Sequence, residues 1–193
     1  MSRYIVGVTG ASGSIYGVRL VEELLKQGNE VLLVLTDNGR TVLKYEMNCS
    51  LEDLFRHFKK LGGVLKVYEN DDIFAPIASG SFQADGMIII PCSMGTLGKI
   101  ASGISDSLLG RTADVCLKEK RNLVIVPRET PLNSIHLKNM LHLSEMGVTI
   151  LPPMPSFYQK PKSMEELIDI TIGRALSCLN ISNTLYKEWN GGF

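Results

Sequence analysis

The first 35 residues restrict the possible folds more than any other stretch of the chain. A short apolar run, Tyr4–Thr9, leads into a turn of small residues, Gly10–Ser14. Apolar residues then recur at helical spacing as far as Gly28, and a second apolar run, Val31–Leu35, follows. Strand, glycine turn, helix and strand in this order form the βαβ unit from which parallel sheets are built.

The rest of the chain continues this alternation. Further strands are predicted at residues 64–67, 86–90, 123–126 and 148–151. Helices are predicted at 51–60, from about 94, at 111–118, at 132–146 and at 163–179, with a loop over 71–82. The alternation predicts one α/β domain over residues 1–193, a Rossmann-like, doubly wound parallel sheet with helices on both faces.

Three local features give further expectations. Pro91 is expected to close the strand before it, since proline cannot donate to a sheet ladder. Ser163 and Glu166 have the spacing of a capping box at the start of the last helix. The tail of about 181–193 is expected to extend to a neighbouring subunit.

Composition excludes several classes of function. Lys plus Arg and Asp plus Glu number 20 each, so the chain lacks the overall basic charge of a general nucleic-acid binder. The four cysteines have no metal-site or redox spacing and are interpreted as free thiols in a reducing cytoplasm, and three histidines argue against a zinc site. No signal peptide pattern opens the chain, and no apolar run reaches the roughly 18 residues of a membrane span.

Four predicted strand ends carry small or polar residues. They are Thr9–Ser14, Thr36–Asn38, Pro91–Thr96 and Pro127–Thr130. In doubly wound sheets, ligands bind beyond the carboxyl ends of the strands. The coincidence of these four segments at one edge predicts a ligand site there.

The first of these turns allows three interpretations. A glycine turn before a helix lets backbone N–H groups approach a phosphate, but glycine can also serve only a tight turn. The spacing of Gly10, Gly13 and Gly17 also resembles a dinucleotide fingerprint, with Asp37 as the ribose ligand of a dehydrogenase. A short-chain dehydrogenase also needs a catalytic Tyr-x-x-x-Lys pair, and none is expected here, which argues against that interpretation.

The later strand ends supply hydroxyl, cationic and acidic groups. Ser93 presents a hydroxyl, although a routine N-cap explains it equally well. Cys92 is disfavoured as a nucleophile because no histidine is an obvious base for it. Arg128 can grip a phosphate and Glu129 can exchange a proton with a leaving phosphate; a surface ion pair is the alternative.

Three candidates lie outside the strand ends. Lys118 belongs to a charge run that is more often solvated. Tyr158 follows a stiff proline segment, which suits a lid or a subunit contact. Arg174 borders the apolar face of the last helix, where a C-terminal dipole partner is the simpler role.

These motifs together resemble one family, the UbiX-type flavin prenyltransferases. The matching stretches run in order along nearly the whole chain. They are Thr9–Gly13, Ala78–Ser81, Pro91–Leu97, Arg111–Glu119, Val126–Leu132, Ile135–Leu141, Leu151–Tyr158 and Gly173–Arg174.

The resemblance implies a flavodoxin-like fold, a homododecamer with active sites between subunits, and no metal. It implies reduced FMN and dimethylallyl phosphate as substrates. The flavin is prenylated at N5 and C6, phosphate is released, and the prenylated FMN serves a UbiD-type decarboxylase.

The resemblance also implies site residues by position. Those for FMN are Gly10, Ala11, Ser12, Thr36, Ser93, Met94, Gly95, Thr96, Arg111 and Arg128. Those for the prenyl phosphate are Tyr158, Arg174, Lys118 and Arg128, with Tyr158 and Arg174 from neighbouring subunits. The residues implied in catalysis are Glu129, Ser12, Glu46 and Lys118, and Glu129 is the choice for proton handling.

Two rival functions share this fold. One is a flavin-dependent decarboxylase of peptidyl-cysteine or phosphopantothenoyl-cysteine type, which relies on a histidine in the central loop. That loop reads Ala78–Ser81 here and contains no histidine. The other is a non-catalytic FMN carrier or accessory subunit, which has no need for Glu129, Arg174 and Lys118 together.

Overall fold

The computed structural model describes residues 1–191, and these contain six strands and seven α-helices. The strands are β1 (Arg3–Val8), β2 (Glu30–Leu35), β3 (Val64–Glu69), β4 (Gly86–Cys92), β5 (Leu123–Pro127) and β6 (Thr149–Ile150). The helices are α1 (Ser14–Lys26), α2 (Asp37–Met47), α3 (Leu51–Phe58), α4 (Met94–Ala101), α5 (Leu108–Lys118), α6 (Ser134–Glu145) and α7 (Met164–Cys178). A short 3-10 helix, Pro76–Ala78, precedes β4.

All six strands are parallel and form one sheet in the order β3-β2-β1-β4-β5-β6. The predicted doubly wound α/β fold is therefore confirmed. This order is the one found in dinucleotide-binding sheets, and its direction reverses between β1 and β4. A ligand crevice is expected at that switch point, outside the carboxyl ends of the strands.

Two apolar layers enclose the sheet. One face packs against α1, α2, α3 and α7, and the other packs against α4, α5, α6 and the 3-10 helix. The central strands are buried on both faces because alternate residues of each strand enter opposite layers; Val6 and Ile5 of β1 are examples. Continuous apolar runs such as Met87–Ile90 follow from this burial.

The structure corrects three local predictions. Helix α2 was not predicted, because its 11 residues bury only Gly39 and Leu43 and so carry little apolar periodicity. Pro91 does not close β4, which continues through a register irregularity to Cys92. Ser163 does cap α7, but the Glu166 carboxylate accepts from the N–H of Lys162, so the reciprocal bond of a capping box is absent there.

No helix among residues 1–191 has the length and apolar character needed to cross a bilayer. Within the same residues, no group of three His, Cys, Asp or Glu side chains is placed to bind a metal ion.

Close packing of α1 on the sheet can be tested with two helical glycines. A Cβ at Gly17 would lie 2.7 Å from the carbonyl oxygen of Ile90, whereas a Cβ at Gly95 in α4 would meet no atom within 4 Å. We expect Gly17→Ala to lower the free energy of unfolding by about 1–3 kcal/mol through overpacking. Gly95→Ala, the control, should leave it unchanged or raise it by up to about 1 kcal/mol. Urea unfolding measures both, and equal stabilities would contradict this packing.

Candidate active site

A cavity of about 510 Å³ opens at the carboxyl edge of the sheet, beside the β1–β4 switch point. We call it the strand-end cavity. Its lining comes from the ends of β1, β2, β3 and β4 and from the first turns of α2, α4 and α5: Gly10, Thr36, Asp37, Asn38, Asn70, Ser93, Gly95, Thr96, Lys99, Ile100, Ile104, Asp106, Ser107, Leu109 and Gly110. The volume is in the range of small-molecule and cofactor sites.

Three helices begin at this cavity, and a hydroxyl caps each of them. Thr36 accepts from the N–H of Gly39 at 3.0 Å, which starts α2. Ser93 caps α4 and Ser107 caps α5 in the same way, each at 3.3 Å. Each cap uses one of the free N–H groups of a helix start, and the helix dipole adds partial positive charge. The cavity is therefore suited to an anionic group such as a phosphate.

The start of α1 differs, because a carboxylate of the same chain occupies it. The Glu46 carboxylate accepts from the N–H of Gly13 at 3.0 Å and from the N–H of Ser14 at 2.8 Å. Gly13 has φ of 104°, a left-handed conformation that glycine adopts without strain. Gly10 of the first turn therefore lines the cavity. The N–H groups at the start of α1, which were expected to hold a phosphate, are bound to Glu46 instead.

Glu46 is held in its ionised form. Desolvation raises its pKa, but hydrogen bonds from the hydroxyl of Ser12 and from the N–H groups of Ser14 and Gly13 lower it by more. The net pKa of Glu46 is below its ordinary value. Glu46 and Ser12, both implied in catalysis, thus lie together at the start of α1.

Two polar links join the neighbouring strand ends. The buried Thr9 hydroxyl donates to the carbonyl of Pro91 at 2.9 Å and accepts from the N–H of Ser93 at 2.8 Å. Arg128, which follows β5, donates from Nε to the carbonyl of Ser12 at 2.9 Å. The turns after β1, β4 and β5, predicted to coincide, are therefore in direct contact.

A second cavity of about 230 Å³ lies between the proline segment and α7. We call it the proline-segment cavity. Its lining is Leu151, Pro152, Met154, Ser156, Tyr158, Ile170, Thr171 and Arg174. The structure thus brings Tyr158 and Arg174 together, in apolar surroundings with a few polar groups. The two cavities share no lining residue.

Other predicted site residues lie elsewhere in the chain. Helix α5 starts at the strand-end cavity and runs toward the amino edge of the sheet, so Lys118 lies about 15 Å farther along. There its ammonium group pairs with Glu119. Arg111 donates from Nε to the carbonyl of Ala78 at 3.1 Å and from Nη1 to Asp114 at 2.7 Å. Neither Lys118 nor Arg111 lines either cavity of its own chain.

The remaining predicted residues lie in the turns after β1, β4 and β5 or directly next to them. Glu129 is exposed, directly follows Arg128, and accepts from the N–H of Thr130 at 3.0 Å. Ala11 and Met94 are buried and support the turns from behind. Burial also raises the pKa of the Cys92 thiol far above its ordinary value, so this cysteine is unsuited to act as a nucleophile.

Sequence reasoning missed several lining residues. Asn70, after β3, accepts from the N–H of Leu109 at 3.1 Å. Lys99 lies 2.7 Å from Asp106, and this hydrogen bond lowers the pKa of the Asp106 carboxyl. Ser107 before an apolar helix is a recognisable N-cap signal. The pairing of Lys99 with Asp106 has no comparable signal in the sequence.

The dehydrogenase alternative is not supported by the site. Tyr158 and Lys162 do have the Tyr-x-x-x-Lys spacing of short-chain dehydrogenases. They lie in the irregular segment before α7, however, and Tyr158 belongs to the proline-segment cavity. Asp37, the expected ribose ligand, belongs to the other cavity.

The fold and the cavity at its switch point are those of the doubly wound, nucleotide-binding class of proteins. Residues 1–189 match the family model described as Flavoprotein. The chain is 57% identical to flavin prenyltransferase UbiX of Halalkalibacterium halodurans over 190 residues, which cover 96% of this chain and 92% of that protein. The chain therefore belongs to the Flavoprotein family and, within it, to the UbiX-type flavin prenyltransferases.

Two solved structures are similar over nearly their whole length. The crystal structure of AnUbiX in complex with FMN and dimethylallyl pyrophosphate has a TM-score of 0.92 and 42% identity, and the match covers 100% of this chain and 99% of that one. The dodecameric FMN-dependent UbiX-like decarboxylase from Escherichia coli O157:H7 has a TM-score of 0.90 and 43% identity, covering 98% and 100%. The resemblance stated from the motifs is confirmed.

The capping role of Glu46 predicts a pH-dependent loss of stability in Glu46→Gln. Because the pKa of Glu46 is lower in the folded chain than in the unfolded one, the carboxylate stabilises the fold at neutral pH. We expect Glu46→Gln to lower the free energy of unfolding by about 1 kcal/mol at pH 7. The difference should be complete above about pH 5 and disappear as pH falls through the folded-state pKa of Glu46.

Urea unfolding between pH 3 and pH 7 measures this difference. Glu52→Gln is a matched control, since Glu52 lies in the first turn of α3 but has no capping contact of this kind. A pH-independent loss in Glu46→Gln would show that shape, and not charge, is responsible.

Proposed function

We propose that the protein transfers the dimethylallyl group of dimethylallyl phosphate to reduced FMN and releases phosphate. One observation carries this proposal. The chain has a strand-end cavity with three helix N-termini and a separate small cavity that contains Tyr158 and Arg174. Two phosphate-bearing ligands need two such sites.

The strand-end cavity fits FMN. Gly10 and Gly95 line this cavity without side chains, so a planar ring can approach their backbone closely. Hydroxyls of Thr36, Ser93 and Thr96 line the same space and can bind the polar parts of the flavin. When bound, reduced FMN supplies the nucleophilic N5 and the C6 carbon that are joined to the prenyl group.

The proline-segment cavity fits the prenyl phosphate. Arg174 presents a planar guanidinium that can donate two hydrogen bonds to a phosphate, and the Tyr158 hydroxyl can donate a third. Apolar side chains such as Leu151 and Ile170 can contact the prenyl carbons. When the bond between the prenyl carbon and phosphate oxygen breaks, the electron pair leaves on the phosphate, where these donors stabilise the charge.

We assign the protonation of the departing phosphate to Glu129. Glu46 and Ser12 are a second candidate pair for proton transfer. Arg128 is fixed on the turn after β1, so Glu129 lies at the same edge as that turn. An acid at this position can protonate the departing phosphate. Glu46 is ionised and is a candidate proton acceptor through the Ser12 hydroxyl.

We propose that the protein forms a homo-oligomer, a dodecamer. In it, a neighbouring copy supplies the proline-segment cavity, with Tyr158 and Arg174, and also Lys118. In support, the two cavities of one chain share no lining residue, and Lys118 lies at the far end of α5. The E. coli relative is described as dodecameric. We further propose that the product serves a UbiD-type decarboxylase and that the enzyme acts in the cytoplasm.

Mass spectrometry of the flavin tests the reaction. Purified protein is mixed without oxygen with reduced FMN, dimethylallyl phosphate and EDTA. We expect FMN heavier by one dimethylallyl unit and an equal amount of released phosphate. Bound but unchanged flavin would favour the carrier or decarboxylase alternative, and product only after metal addition would contradict a metal-independent transferase.

Replacement of the proposed proton-handling group gives a second test. We expect Glu129→Gln to bind FMN as tightly as the parent and to lower kcat by about 10²-fold, the usual effect of losing an acid–base group. Stopped-flow flavin absorbance measures turnover and flavin titration measures binding. Glu145→Gln, at an exposed position in α6, is the control. A parental rate in Glu129→Gln would remove Glu129 from the mechanism.

A further inference from the structure

The segment after α7 turns back and lies along that helix. Asn183 Nδ2 donates to the carbonyl of Gly173 at 3.1 Å. A Cβ at Gly173 would lie only 2.5 Å from the ring of Tyr186, so the segment needs a glycine at this position to come so close. Residues 181–187 thus contact their own chain, and the expected extension of the tail to a neighbouring subunit stays a prediction; residues 192 and 193 lie outside the described residues.

This packing places Tyr186 against Arg174. The Nη1 atom of Arg174 lies 3.4 Å from the Tyr186 hydroxyl oxygen, and the guanidinium carbon lies 5.7 Å from the Tyr186 ring centre. The first distance is a long hydrogen bond, and the second is within the range of a cation–π contact. The partner of Arg174 is therefore a neutral hydroxyl and ring, which leave the positive charge available to an anion.

The hydrogen bonds behind Tyr186 have a fixed direction. The carbonyl of Gly173 can only accept, so the Ser177 hydroxyl donates to it at 3.0 Å. The single proton of Ser177 is then used, and the Tyr186 hydroxyl must donate to Ser177 across their 3.0 Å contact. The lone pairs of the Tyr186 oxygen consequently face Arg174, which can only donate.

A second contact anchors the same segment beside Tyr158. Gln159 accepts from the N–H of Lys187 at 3.1 Å and donates from Nε2 to the carbonyl of Lys187 at 3.3 Å. The same Nε2 lies 3.2 Å from the Tyr158 hydroxyl. The segment around Tyr186 is thus tied to the proline segment as well as to α7.

We propose that Tyr186 is a positioning residue that holds the guanidinium of Arg174 toward the proline-segment cavity for the phosphate of the prenyl substrate. This inference rests on the proposed function of that cavity. Arg174 is exposed and has several rotatable bonds. A substrate that had to immobilise this side chain by itself would bind less tightly, because the lost conformational entropy reduces the binding free energy. Tyr186 and the hydroxyl chain behind it fix the side chain before substrate arrives.

Tyr186→Phe tests the inference, because it keeps the ring and removes only the hydroxyl. We expect KM and Kd for dimethylallyl phosphate to rise about 3- to 10-fold, the effect of mobilising one long side chain. The kcat value, the FMN affinity and the melting temperature should stay near those of the parent, since the loss is one of substrate binding. Tyr45→Phe, at an exposed tyrosine of α2, is the matched control.

Ser177→Ala tests the direction of the hydroxyl chain. As a single substitution it should raise KM for dimethylallyl phosphate, but by less than Tyr186→Phe does. Combined with Tyr186→Phe it should cause no further rise in KM, since both residues act through the same series of hydrogen bonds. Parental KM in Tyr186→Phe, additive effects, or a parallel loss of FMN affinity and melting temperature would overturn the inference.

Calorimetry with dimethylallyl phosphate separates this inference from the proposed reaction. A parent protein that binds the compound without prenylating FMN contradicts the reaction, and the Kd of Tyr186→Phe still decides the role of Tyr186. A parent that does not bind the compound overturns both.

Discussion

The parallel direction of all six strands is the constraint on which the rest of this structure depends. Because every strand ends at the same edge, the helices that follow β2 and β4 start there with N–H groups free, while Glu46 occupies those of α1, which follows β1. Electrostatic attraction for a phosphate is therefore a property of the backbone, and a chain with no net charge can still attract an anion at one edge. The side chains of Thr36, Ser93 and Ser107 refine this property by fixing where each helix begins.

Glu46 shows how the chain selects among those helix starts. Its carboxylate accepts from N–H groups at the start of α1, so the helix starts that stay open to an anion in the strand-end cavity are those of α2, α4 and α5. The same contact lowers the pKa of Glu46 and places an ionised group next to Ser12. The hydrogen bonds between Glu46 of α2 and the start of α1 thus stabilise the fold, and under the proposed function they also bear on ligand placement and proton transfer. The Thr9 hydroxyl has a comparable role, since it holds the turns after β1 and β4 in register.

Strands and turns that depend on local physics were predictable from the sequence, whereas features that depend on tertiary placement were not. The central strands were predictable because burial on both faces demands continuous apolar runs, as at Met87–Ile90. Helix α2 was not, because a surface helix that buries two residues has almost no apolar period. The turn residues of the site were found from their glycines and hydroxyls. Two other placements depend on tertiary structure. Lys118 lies at the far end of α5 because of the length and direction of that helix. Tyr186 pairs with Arg174 because the chain reverses after α7, and no local pattern encodes that reversal.

Because Gly173 has no side chain, substitutions at this position have a specific consequence for the protein. The contact there joins a helix to a segment that follows it, and any larger residue would push Tyr186 outward. Gly173 lines neither cavity, but a side chain there would also press on Asn183 and on Leu185, and Leu185 packs against the apolar layer that contains α1 and α7. Under the proposed function, an exchange at Gly173 would act on the second substrate through Tyr186 and Arg174, away from the flavin, and would also lower stability by displacing this segment.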